Sequence, residues 1–112
     1  MGENRPLAGG GGDLRNISAV VERQIQQVAS RYGVAIFLEG SRAAGTSGPA
    51  SDFDYVIEAR HRVRNSAKYF LPRGPRLGEG AGIDIFSGPL DRSRPHILFL
   101  PDAGISQDMG GE

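Results

Sequence analysis

The sequence predicts an α+β domain: a small mixed β-sheet of about four strands, backed by helices on one side. Three observations predict it. Leu14, Ile17, Val21, Ile25, Val28 and Tyr32 recur at three- and four-residue steps, the stripe of an amphipathic helix. Short apolar or alternating runs follow at 34–38, 52–59, 82–86 and 96–100, each of strand length. Turn-forming or helix-forming stretches separate them, giving a helix–strand–helix–strand–helix–strand order. With 112 residues the chain can build one domain with a modest core.

Residues 1–12 are polar and end in four consecutive glycines, which reads as a flexible linker before a domain at 13–101. Asp13 is a good N-cap for the helix that follows. Arg15, Glu22, Arg23, Gln26 and Gln27 take its wet face, and Gly33 fits its end. Val34-Ala35-Ile36-Phe37-Leu38 is a continuous apolar strand, expected to be buried on both faces. It leads into Gly40-Ser41 and a short Ala-containing helix. The next strand runs from about Asp52 to Ala59.

Between Arg60 and Arg76 the chain carries six of its 13 basic residues and no acid. Val63, Ala67, Phe70 and Leu71 give this stretch a helical apolar face, which Pro72, Gly74 and Pro75 end. It is either a solvated basic helix or one that uses Arg62, Arg64 and Lys68 to approach phosphates of a nucleotide or an acceptor. Gly82-Ile83-Asp84-Ile85-Phe86 is a further strand, Pro89 to Pro95 a charged turn, and His96-Ile97-Leu98-Phe99-Leu100 a last strand stopped by Pro101. Residues 102–112 form a polar tail.

Composition excludes several chemistries. Thirteen basic and 13 acidic residues balance, so no overall field selects a polyanion or a membrane surface. With no cysteine there is no disulfide, zinc-thiolate or cysteine nucleophile. No apolar run approaches the ~20 residues that span a bilayer, so no membrane insertion is expected. The N-terminus lacks the apolar middle of a secretory signal. Gly40 and Gly45 are spaced as in a P-loop, but Thr46 stands where its lysine belongs. Ser41 as a nucleophile needs a histidine in an acid–base context, and neither His61 nor His96 offers one. His61 reads as a surface residue at a helix start and His96 as a strand-edge or turn residue.

The chemistry is concentrated between Gly40 and Ile57. On a strand, alternate side chains share a face, so Asp52 and Asp54 project together while Phe53, Tyr55 and Ile57 point into the core. Two neighbouring carboxylates disfavour each other's ionisation unless a cation sits between them, and Mg²⁺ suits oxygen donors. A hairpin turn with two solvated acids is the structural alternative. The Gly40-Ser41 turn opens a helix, whose first N–H groups attract anions; Ser41 adds a hydroxyl and Arg42 a positive charge. Arg42 as a surface ion-pair partner is the alternative there.

Gly40-Ser41, ten residues, then Asp52-x-Asp54, in the wording GSRAAGT…SDFDYVIE, resembles the signature of the DNA polymerase beta-like nucleotidyltransferase superfamily, especially its minimal single-domain members. The resemblance implies transfer of a nucleoside monophosphate from a nucleoside triphosphate to a hydroxyl of an RNA 3′ end, such as tRNA, or of a protein side chain. It implies two Mg²⁺ ions held by Asp52, Asp54 and Asp84, with Gly40, Ser41 and Arg42 on the phosphates. Asp84 would otherwise cap a turn or pair with an arginine. The stretch GEGAGIDIFSGPLDRSRPHILFLP also resembles nucleotidyltransferase-like toxin domains at the C-terminal ends of bacterial polymorphic toxins. That implies delivery as the tail of a larger secreted protein, action in a recipient's cytoplasm, and a cognate immunity protein. An antitoxin that modifies one protein partner and a catalytically silent binding module are the other readings.

Overall fold

The structure, a computed structural model, describes residues 5–75, 77–78 and 81–102. Strands β1 (Leu7–Gly9), β2 (Ile36–Glu39), β3 (Phe53–Val56), β4 (Ile83–Phe86) and β5 (His96–Phe99) form one sheet in the order β1-β5-β2-β3-β4. The helices are α1 (Ala19–Tyr32), α2 (Ser41–Ala44) and α3 (His61–Lys68). β3 and β4 run parallel, joined through α3, and every other pair is antiparallel. The mixed α+β sheet is as expected, with five strands where about four were read.

The fifth strand comes from the stretch read as a linker. Leu7, Ala8 and Gly9 pair with Leu98, Ile97 and His96, which makes β5 an interior strand. The glycines after it are packed. Gly10 has φ +61°, and a Cβ there would lie 2.1 Å from the Arg94 carbonyl oxygen. The run is therefore required by close contact with the turn before β5. Residues 1–4, the rest of the supposed linker, and 103–112, most of the supposed polar tail, lie outside the described residues.

The first helix also differs from its expected span. Asp13 caps only a 3-10 turn at Leu14–Asn16, accepting from the Arg15 amide. The Arg15 guanidinium holds the Asp13 carboxyl down to about 2. Ser18 then caps α1, its hydroxyl accepting from the Val21 amide at 3.1 Å. The apolar stripe survives this break. Ile25 and Val28 are buried, and Leu14, Ile17, Val21 and Tyr32 pack against the core.

That core lies between the helices and one face of the sheet, which contributes Ile36, Leu38, Phe53, Tyr55, Ile83, Ile97 and Phe99. Tyr55 is fully buried, and its hydroxyl donates to the Pro72 carbonyl at 2.6 Å, tying β3 to the chain beyond α3. Phe37 points to the opposite face and is still buried, with the Arg92 guanidinium 5.2 Å from its ring centre. β2 is thus covered on both sides as expected, but the second cover is the loop before β5. His96 is buried in the sheet interior and its Nδ1 lies 2.8 Å from the Arg94 carbonyl. The edge or turn position expected for it is corrected by the pairing of β1.

Candidate active site

Sheet register builds the site. Residues paired across neighbouring strands project from the same face. Gly9, His96, Glu39, Asp54 and Asp84 therefore form one row across all five strands, on the face away from the core. Asp54 stands directly opposite both Glu39 and Asp84. The next row is apolar: Leu7, Leu98, Phe37, Val56 and Phe86.

Asp54 is the electrostatic centre. Partial burial first, and then the negative charges of Asp84, Glu39 and Asp52, raise its carboxyl above the ordinary carboxylate value. Of those three charges that of Asp84 weighs most, as its place directly opposite Asp54 in the register requires. Asp52, just before β3, thus acts on Asp54 through its charge. Arginine pairing does not explain Asp84: the ion pair among the described residues is Arg15–Asp13 at 2.7 Å.

The corner is backed directly onto this centre. Gly40 takes φ +74°, and a Cβ there would sit 2.9 Å from Asp54 Oδ2. Glycine is needed on both counts. The Ala43 and Ala44 amides donate to the Gly40 carbonyl at 3.1 and 3.0 Å, starting α2. A cleft of about 360 Å³ joins the two halves, lined by Gly40, Ser41, Asp54, Glu39, Phe86 and Arg94 among others.

The basic residues fall differently from expectation. Arg42 donates to the Ser51 carbonyl at 2.6 Å, and its guanidinium lies 4.3 Å from the Phe53 ring centre. It fastens the loop before β3, and it does not line the cleft. Arg62, Arg64 and Lys68 do not line it either. Arg64 donates to the Ala59 carbonyl at the start of α3, and the Lys68 carbonyl accepts from Arg73. Arg94, which sequence reading passed over, is the cation that lines the cleft. Only its place in a charged turn singled it out, and the fold brings that turn to Gly40.

For a metal, the donors are of the right kind. Asp54 and Asp84 are hard oxygen ligands side by side, and the raised Asp54 carboxyl marks negative charge without a full counterweight. The expected convergence of three acids is not reached. Among the described residues no three His, Asp or Glu side chains are grouped so as to hold an ion.

The family model described as "Nucleotidyltransferase domain" covers residues 21–101, well over half of the chain. No curated protein and no solved structure matches.

Proposed function

The chain belongs to the nucleotidyltransferase domain family, and from that premise we propose that it moves a nucleoside monophosphate from a nucleoside triphosphate to a hydroxyl acceptor. The observation that carries this reading is the contact between the Gly40 corner and Asp54, with Asp84 in register beside it. A triphosphate lying along the corner would have its reacting end at the paired carboxylates.

The step needs positioning and charge neutralisation more than covalent help. An acceptor oxygen bonds to the α-phosphorus, the bond from that phosphorus to the β-bridging oxygen breaks, and pyrophosphate leaves with the electron pair. Gly40 and Ser41 hold the terminal phosphates. Arg94 takes the cationic part first given to Arg42, which is engaged with Ser51 and Phe53. Asp84, exposed on the edge strand, receives the acceptor's proton on a carboxylate oxygen. Asp54 and Asp84, opposite each other in the register with Asp52 just before β3, are the carboxylates that would hold a divalent ion such as Mg²⁺, and bound there it would supply neutralisation of the triphosphate and of the leaving pyrophosphate.

The acceptor is an RNA 3′ end or a protein hydroxyl. A toxin role, with a cognate immunity protein and delivery on a longer secreted chain to a recipient's cytoplasm, rests on sequence resemblance alone. The glycine run that favoured it as a linker is packed against Arg94. Among the described residues no helix is long and apolar enough to cross a membrane.

Incubation with each α-labelled nucleoside triphosphate, followed by separation of RNA and protein fractions, tests the reading. Label is expected in one fraction, lost in excess EDTA, and reduced more than about 100-fold in Asp54→Asn, the scale on which one preorganised electrostatic group acts. Transfer by Asp54→Asn at the wild-type rate would refute the site.

A further inference from the structure

The helical layer carries a second surface that the acidic cleft does not use. Two grooves, of about 430 and 480 Å³, meet at Phe70. Arg23 and Arg31 on α1 line the first, and Arg62, Tyr32 and Tyr69 line the second. Tyr69 is 78% exposed and Phe70 45%, although Phe70 sits on what reads in the sequence as the apolar face of α3. The Arg31 guanidinium bridges the grooves, 4.8 Å from the Phe70 ring centre and 5.7 Å from that of Tyr32. Among the described residues no carboxylate lines either groove. In a chain of zero net charge, that is segregated positive charge.

We propose that this arginine–aromatic surface binds single-stranded RNA, and so holds the acceptor strand. Arginines supply phosphate contacts, and exposed rings supply faces on which bases stack, a combination suited to an unpaired strand. The Arg31 guanidinium lies over the Phe70 and Tyr32 rings, which holds its charge at the junction of the grooves, while Tyr69, 78% exposed, offers the ring face for a base. Gln24 fixes the platform, its amide donating to the Phe70 carbonyl at 2.9 Å. Location favours a polymer. The surface lies on the helices, whereas Asp54 and Asp84 project from the sheet's other face. A long flexible polyanion can pass round the domain and occupy both; a short acidic peptide cannot. The inference rests on the nucleotidyl-transfer reading for its purpose, though not for the binding itself.

Fluorescence anisotropy of a labelled poly(U) oligonucleotide tests it, with the full chain and no triphosphate. Tyr69→Leu is expected to weaken binding about tenfold while Tyr69→Phe restores it, as stacking requires. Arg23→Gln and Arg62→Gln are each expected to reduce the slope of log affinity against log salt by about 0.7. Asp54→Asn, which disables transfer, is expected to bind as wild type does. Absence of binding by the wild type overturns the proposal. So does a neutral Tyr69→Leu together with equal competition by poly-glutamate, which would make this a surface for an acidic protein. RNA binding without any nucleotide transfer would instead overturn the proposed activity and leave this surface standing. Transfer to RNA at the wild-type rate by Tyr69→Leu would remove the surface and leave the activity.

Discussion

Asp54 sits where backbone register and charge meet, and its titration can be turned into a measurement. Its carboxyl titrates above the value it has in the unfolded chain, through burial and the charges of Asp84, Glu39 and Asp52. Between those two values the folded protein holds a proton that the unfolded chain has released, so this group's effect on stability becomes less favourable as pH rises through that window. Asp54→Asn is therefore expected to melt at a higher temperature than wild type at neutral pH without divalent metal. The difference should vanish below about pH 4, where the wild-type carboxyl is neutral in both states. Thermal melts over a pH series check this. A neutral-pH melt lower than wild type would mean that the acid is held by a cation of the protein. Gly40 and Arg42 show how one residue is decided by its neighbours: the first by Asp54 Oδ2, which would lie 2.9 Å from a Cβ placed there, the second by the Ser51 carbonyl and the Phe53 ring.

Elements were legible where side-chain period sets them. The stripe on α1, the apolar run of β2 and the alternation in β3 each follow from one burial requirement, repeated along a segment. Boundaries depended on competing caps. Asp13 and Ser18 are both good N-caps, and Asp13 is taken by the Arg15 amide and guanidinium. Ser18→Ala is accordingly expected to cost about 1 kcal/mol, read as a lower urea midpoint with unchanged slope. Asp13→Ala, at an exposed 3-10 turn, is expected to cost less. β1 was not legible at all. Three residues carry no periodicity, and a glycine run reads as flexible unless the surface it packs against is known. It also lies outside the span matched by the family model.

At the scale of the whole molecule, the sheet separates two environments. Its inner face meets α1 and the core, and its outer face carries the acidic row beside an apolar row. An outer face with concentrated negative charge is expected to gain from a cation and a triphosphate together. Mg²⁺ with a nucleoside triphosphate at about 100 times its dissociation constant should stabilise the wild type by about 2.7 kcal/mol. Asp84→Asn should show little of that gain in the same thermal-shift experiment. An equal shift in the variant would place the ligand elsewhere.

Three carboxylates, a glycine–serine turn and the alternation of β3 were all readable from the chain, because each is a local pattern with a local physical cause. Which residues face one another was not. Asp84 opposite Asp54, Glu39 joining their row, Arg94 in place of Arg42 at the cleft, and Phe70 exposed near Arg31 are all long-range placements. They follow from the strand order β1-β5-β2-β3-β4 and from how the loops close over it. Periodicity fixes the face on which a side chain projects, but only pairing between distant strands fixes its neighbour.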